Sequence, residues 1–457
     1  MREGDRKLKE ATKKLSVKEG IASGIMDGAG VKYITPYALA IGANNAQIGF
    51  LTSIPTLLGT FSQLFTHNAM EKFSRKKVMV LGVFLQALMF LPLIFLGYLF
   101  FYGGIDHGFS ATLTIVVYTL FTIFGSFISP AWNSLMKDDV EKDRGNYFGN
   151  RARIADFIGL IVMLMCGIIL NSFANSNLFY GFFILFGIAF VARLVSAYLL
   201  NKHYEPRLKL EKGYYFSLTQ FIKKVPESNF GKFSVAISLI NLGTYLASPF
   251  FSVYLLKELG VNYAIWTLIV VFNILGGLAF MPFWGRFSDK YGNLKVLKLT
   301  GLLIPTIPLF WFGTLFVGKI GFTIAIIYLI LVEIFSGFVW AGFNLCSKNF
   351  IYDAVTREKV ALCISYYNIL NGAAIFIGAT VGGLIASINF NFFGVSSILI
   401  LFLISSLMRL IFYFVLMPKV KEVRGVKEYE DGEFGRELFQ EVLFPIPLRF
   451  MKHNSHI

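Results

Sequence analysis

The chain has 457 residues, of which 56% are hydrophobic and only 15% charged, with 50 phenylalanines. That balance excludes an ordinary soluble protein and calls for a lipid bilayer as partner. The net charge of +15 is spread between apolar runs rather than gathered on one patch, which argues against a nucleic-acid partner and for a topological role.

The first stretch, Met1 to Glu19, is polar and Lys-rich and carries no cleavable signal, so it reads as a solvated or headgroup-facing segment. From there the apolar runs predict twelve spans, at about 19–43, 46–68, 77–102, 109–136, 149–173, 177–201, 229–257, 262–284, 294–317, 320–347, 359–389 and 392–418. Lys257 and Lys319 lie at outer ends, and Lys32, Arg193 and Arg409 lie within spans. The other Lys and Arg residues fall in alternate loops, the two termini or the turns beside them. By the positive-inside rule both termini should be cytoplasmic, in a multi-pass protein of the cell membrane.

Cys166, Cys346 and Cys363 all sit inside apolar runs, so no disulfide framework is expected, and no Cys/His spacing suggests a metal. No phosphate-binding loop of the form G-x-x-x-x-G-K-[ST] occurs, which argues against direct nucleotide-driven pumping. His67 and His107 lie at helix ends and form no ligand cluster, so an intramembrane enzyme lacks its constellation. No cofactor is expected.

An internal repeat runs along the chain at an offset of roughly 211–218 residues. Thr35-Pro36-Tyr37 matches Ser248-Pro249-Phe250, and Gly42, Asn44 and Gly59 match Gly260, Asn262 and Gly277. Glu71-Lys72-Phe73 and Lys77 match Asp289-Lys290-Tyr291 and Lys295; Asn133 and Lys137 match Asn344 and Lys348; Arg144 matches Arg357 and Arg193 nearly matches Arg409. Their order predicts two parallel six-span bundles, 19–201 and 229–418, joined by a charged linker at 202–228, with cytoplasmic segments at 1–18 and 419–457.

The stretch Gly285 to Lys295 reads as a compact charged turn of the form G-x-x-x-D-x-x-G-x-x-K, with Gly285, Asp289, Lys290, Gly292 and Lys295 in place. Its weaker copy keeps the basic end, Arg75-Lys76-Lys77, but has Glu71 for the acid and His67 and Ser74 for the glycines, so tight turn geometry is not expected there. Twelve spans in two halves with this turn and its copy resemble the major facilitator superfamily. The resemblance covers nearly the whole chain. It implies an all-α integral membrane protein, two parallel-repeat six-helix bundles that rock around a central cavity, and a small-molecule substrate carried by a monomer. It also implies that spans 1, 4, 7 and 10 line that cavity.

Within those spans, Asp27 and Lys32 stand out because a charge at mid-bilayer costs about 2.5–3.5 kcal/mol on insertion scales. Five residues of helix put them about 140° apart, so they should not pair with each other. Each either pairs with a neighbouring helix or faces the cavity to meet substrate or proton. Glu333 lies near the middle of span 10 with Trp340 and Asn344 on the same helix. Desolvation disfavours a charged carboxylate there, as a proton-coupling site requires; the alternative is a structural partner for Lys32. Asn241 and Tyr245, four residues apart in span 7, share a face and could hydrogen-bond a polar ligand. Span 4 offers only Thr119, Thr122, Ser126 and Trp132.

Asp156, Arg193 and Arg409 are assigned with the two turns to cytoplasmic ion-pair networks that latch one face shut. Glycines 372, 378, 382 and 383 of span 11 are read as packing positions. The tail, through Phe434–Phe444, is read as an amphipathic surface helix or a disordered end. The leading function is a secondary active transporter of a small polar or amphipathic solute, proton-coupled. A transporter-like receptor or nutrient sensor and a multidrug exporter are the alternatives, the latter disfavoured because span 5 lacks a glycine-proline-glycine signature.

Overall fold

A computed structural model describes residues 3–140, 144–205, 217–356, 359–388 and 395–425. The expected tail helix at 434–444 and the Arg144–Arg357 match lie outside the described side chains. Eighteen α-helices occur among the described residues. The N-terminal set is α1 (Glu3–Ala29), α2 (Ile34–Ala40), α3 (Asn45–Ser62), α4 (Thr66–Lys72), α5 (Arg75–Leu88), α6 (Phe90–Gly103), α7 (His107–Asp139), α8 (Arg144–Phe173) and α9 (Leu178–Asn201). After the short α10 (Leu218–Lys224) come α11 (Asn229–Ala247), α12 (Phe250–Val253), α13 (Tyr263–Tyr291), α14 (Asn293–Leu303), α15 (Thr306–Val317), α16 (Phe322–Ala354), α17 (Val360–Ser387) and α18 (Ser397–Leu416).

Eleven of the resulting helical runs are long and apolar enough to cross a membrane. The expected first span is not among them. Its polar load, Glu19, Asp27 and Lys32, lowers its hydropathy, and a 3-10 turn at Val31–Tyr33 breaks it between α1 and α2. Other expected spans run through local breaks. The third divides at Met89 into α5 and α6, the seventh bends at Pro249 and ends in a π-helical turn, Tyr254–Glu258, and the ninth divides at Pro305. At Pro249 and Pro305 proline removes a backbone donor, so the helix restarts there.

The N-terminal segment is a correction to the expectation of a solvated stretch. It is helical from Glu3, and Thr12, Ser16 and Glu19 are buried. Their spacing puts them on one helix face. That face takes hydrogen bonds from the Tyr204 N–H to Thr12, from Arg151 to Ser16, and from Arg151 Nη2 to Glu19 at 2.5 Å. Burying a carboxylate this deeply is tolerable because it is paired.

The repeat is visible as local geometry. Gly42 and Gly260 both have positive φ, 87° and 62°, and two residues on Asn44 and Asn262 each cap the following helix through their side chains. Within the N-terminal set, α1 packs on α8 and α9, α3 and α5 on α7, and α5 and α6 on α9. Within the C-terminal set, α11 packs on α17 and α18, α13 and α14 on α16, and α15 on α16 and α18. The two sets meet chiefly along α3 with α17 and α8 with α13. Glycines permit the close approaches. A Cβ at Gly378 or Gly382 would strike the carbonyls of Leu242 or Leu246 on α11, and Gly383 lies against Gly49. These glycines of α17 therefore serve packing, as expected.

The two charged turns differ from the expectation and from each other. Helix α13 continues through Gly285 and Asp289 to Tyr291, so the chain turns only at Gly292, whose φ of 89° favours glycine. Gly285 is helical and open, with nothing near an added Cβ. In the copy, Phe73 and Ser74 are extended, and the Ser74 hydroxyl accepts the Lys77 N–H as a helix cap. A tight turn forms there without glycine because an N-cap serine needs only extended backbone.

Beneath the turns lies a matched pair of anchors. Buried Arg75 donates to Asp138 at 2.6 Å, and buried Asn293 in the corresponding place donates to Asp353 at 2.7 Å. The Lys76 N–H reaches Glu205 at 3.5 Å, and the Leu294 N–H reaches Glu422 at 2.7 Å. Each turn is thus held by an acid from the end of the fourth long helix of its set and by another beyond the sixth.

Candidate functional site at the seam of the helices

Two adjoining cavities share Asn273, Trp340 and Asn344 in their walls: one of about 490 Å³ is lined by residues of the C-terminal set, and one of about 320 Å³ lies between the N-terminal and C-terminal sets. Helix α16 supplies Glu333, Ser336, Trp340 and Asn344, at spacings of three or four that keep them on one face. Helix α11 supplies Asn241, Thr244 and Tyr245, and Ser248 caps its end beside them. The larger cavity gathers Asn241, Tyr245, Glu333, Trp340 and Asn344 from the expected site, and the smaller gathers Asp27 and Lys32 with Trp340 and Asn344 again.

The larger cavity has a wall of satisfied polar groups. Glu333 is buried, and its Oε1 accepts from Trp311 Nε1 at 3.0 Å. Its expected alternative partner, Lys32, lines the other cavity. Asn241 donates to Asn371 at 2.7 Å, and Asn273 donates to Ser336 at 3.0 Å. Arg409, expected in an ion-pair network at the gate, is buried against this cavity. Its guanidinium donates to the carbonyls of Gly243, Thr244 and Ile304 at 3.2–3.4 Å. Carbonyl oxygens on helices carry a spare lone pair, which lets a guanidinium be buried without a carboxylate.

The smaller cavity is lined on its N-terminal side by three exposed charges, Asp27, Lys32 and Asp156. The 3-10 turn between α1 and α2 brings Asp27 and Lys32 to one cavity despite the separation that a continuous helix would impose. Asp156, also expected at the gate, lies here within electrostatic reach of Asp27 and Lys32, and of Lys348 across the seam. Arg193 remains within the N-terminal set, donating to Gln86 at 2.8 Å and to Ser23 and Ser196, with Glu19 at 3.9 Å. Of the turn residues, Asp289 pairs with Arg424 at 3.1 Å and Glu71 with His67 at 3.4 Å, each within its own set.

Sequence reasoning missed Asn273, Asn371, Trp311 and Tyr367, which line the larger cavity, and Glu19, which holds Arg151. Single amides and aromatics in apolar spans carry no spacing that marks them. Glu19 stood at the edge of the first apolar run, where an acid passes for a span boundary. Among the described residues no group of His, Cys, Asp and Glu could hold a metal ion.

Hydrogen bonds that join the two sets among the described residues include Lys257 to the Ala43 carbonyl, Asn45 to the Ala386 carbonyl, Tyr33 with Thr267, and Thr380 to Ser53. They lie toward the end opposite the charged turns.

The model of the Major Facilitator Superfamily matches residues 21–226 and 233–455. The chain belongs to the major facilitator superfamily of membrane transporters. No curated protein gives a significant match. Among solved structures the chain resembles the nucleoside transporter NupG, at 15% identity and a TM-score of 0.64 over 91% of this chain and 99% of that one. It also resembles a bacterial homologue of the iron transporter ferroportin in an inward-facing state, at 13% identity and 0.64 over 89% and 98%. A third is a bacterial homologue of the human lysosomal transporter Spinster, inward-facing and unoccupied, at 14% identity and 0.56 over 92% and 98%. These likenesses establish the shared fold of a multi-pass membrane transporter.

Proposed function

We propose that this facilitator is a secondary active transporter that moves a small polar or amphipathic solute across the cell membrane by alternating access, driven by protons. The reading rests on one observation: the cavity at the seam and the adjoining cavity in the C-terminal set share Asn273, Trp340 and Asn344 and so offer one solute a charged wall and a hydrogen-bonding wall together. In this reading α1 and α2 form the first of twelve spans, and residues 19–201 and 229–418 form two bundles that rock as a monomer with both termini in the cytoplasm. The hydrogen bonds clustered at the end away from the charged turns support an inward-open conformation. Closing the inner face would bring Asp156 toward Lys348 and engage Glu71, Arg75, Lys76, Lys77, Gly285, Asp289, Lys290, Gly292 and Lys295 as a gate, with Arg193 and Arg409 bracing its helices.

Glu333 is assigned the coupling proton, since it is a buried carboxylate with a neutral donor and direct access to the cavity. The test begins with a thermal-shift screen of purified protein against sugars, nucleosides, amino acids and organic acids, followed by uptake into proteoliposomes under an imposed pH gradient. Glu333→Gln should leave solute binding within about threefold and abolish substrate-dependent proton movement. Proton movement that survives the substitution would overturn the assignment, and ligands that bind without being transported would fit a receptor instead.

A further inference from the structure

On the outer surface of the N-terminal helices, remote from the seam, α5, α7 and α9 enclose a groove of about 980 Å³ that the transport reading does not use. Its floor is low because it is built of small residues, Ala69, Gly82 and Ala197. A Cβ at Gly82 would strike Ile128, so α5 and α7 approach closely there. Its walls are apolar, with Leu81, Phe84, Phe127 and Leu194. Leu81 is 59% exposed.

The groove is charged at one end only. Lys76 and Lys77 line it, and no acid does. Tyr198, also in its wall, carries the Lys202 ammonium over its ring at 4.3 Å. Of the acids close by in the chain, Glu71 pairs with His67, and Glu205 is held beneath the turn by Arg75 at 3.8 Å and the Lys76 N–H, outside the groove lining. From Lys76 to Leu85 along α5 the groove descends ~14 Å, at 1.5 Å per residue. That is about half of a ~30 Å hydrocarbon core, the depth of one leaflet.

We propose that this groove binds one anionic phospholipid of the leaflet facing the charged turns, its phosphodiester held by Lys76, Lys77 and Lys202 and an acyl chain lying along Leu81 and Phe84. The match is of two kinds at once: an apolar slot one leaflet deep and a cluster of bases at the level of the headgroups. Lys76 also belongs to the turn that Arg75 and Glu205 anchor, so the bound lipid would sit directly on that turn.

The test is native mass spectrometry of the full chain in mild detergent, titrated with phosphatidylglycerol or phosphatidylcholine. One phosphatidylglycerol should be retained with at least tenfold preference, since each lysine near an anionic headgroup contributes about fivefold. Replacing Lys76, Lys77 and Lys202 by Gln should remove the preference, whereas replacing Lys224, Lys232 and Lys421 should leave it. Leu81→Trp should lower retention of both lipids, and inorganic phosphate should not displace phosphatidylglycerol. Equal retention of the two lipids, equal loss in the control variant, or displacement by free phosphate would each overturn the proposal.

Discussion

Across the central cavity the two walls treat charge differently. On the C-terminal wall Glu333 and Arg409 are buried, and each is held by neutral protein groups, an indole N–H in one case and three carbonyls in the other. On the N-terminal wall Asp27, Lys32 and Asp156 are exposed to the cavity with no direct hydrogen bond or ion pair among the described residues. Fixed, satisfied groups shape a site in advance, whereas solvated charges can exchange water for a ligand or for the opposite wall. The contrast predicts that substitutions should separate cleanly into those that damage the fold and those that damage binding.

The largest loss of stability should come from the buried anchor of the first turn. Arg75→Ala removes a buried guanidinium that pairs with the partly exposed Asp138 and with Glu205 and should cost about 2–3 kcal/mol, while Asn293→Ala at the matching place removes a neutral donor and should cost about 1–1.5 kcal/mol. Thermal unfolding in detergent micelles measures both. Equal losses would mean that the charge of the first anchor adds nothing.

His203 tests the same N-terminal region by pH. Burial lowers its ionisation to about 4, outweighing nearby Glu19, and neither ring nitrogen has a hydrogen-bond partner. A histidine lowered in the folded state favours the neutral form, so its stabilising contribution is complete above pH ~6.5 and is lost as pH falls toward 4. The loss should be on the order of 3 kcal/mol by linkage. His203→Phe, which leaves no orphaned partner, should flatten the profile of melting temperature between pH 7.5 and 5. An unchanged slope would place the pH sensitivity elsewhere.

The turns give a smaller and more pointed contrast. Gly292→Ala must hold an L-residue at φ 89° and ψ 156°, a region essentially kept to glycine, and should cost about 1–3 kcal/mol. Gly285→Ala, in an open helical position, should be neutral or stabilise by up to about 1 kcal/mol. A reversed order would mean that the first glycine of the motif, rather than the second, makes the turn.

Much of this arrangement was legible in the sequence because it depends on local or periodic signals. Long apolar runs mark the spans, and Gly42 with Asn44 and Gly260 with Asn262 mark the repeat through residue types their positions require. The motif around Asp289 was legible as residues but not as shape, since helix α13 runs through most of it. The anchors were harder to see. Asp138 meets Arg75 and Glu422 meets Leu294 only after distant helices pack, and the offset of 218 that links Arg75 to Asn293 does not carry Asp138 onto Asp353, which lies 215 residues on. Asp27, Lys32 and Glu333 announced themselves as charges in apolar surroundings, whereas Asn273 and Asn371 could be found only once the seam existed. The break at Val31–Tyr33 was not legible, although Gly30 opens it and Pro36 follows, because glycine and proline also occur inside unbroken helices such as α7 and α13.

The central claim is that the free charges of the N-terminal wall exist for the solute. Ligand binding by Asp27→Asn and Lys32→Met, measured against thermal stability of the same purified proteins without ligand, tests it most directly. The account predicts a loss of affinity of ~10-fold or more in at least one variant, with unliganded stability changed by no more than about 0.5 kcal/mol. Unchanged affinity with a large fall in stability would contradict it and make these residues part of the scaffold.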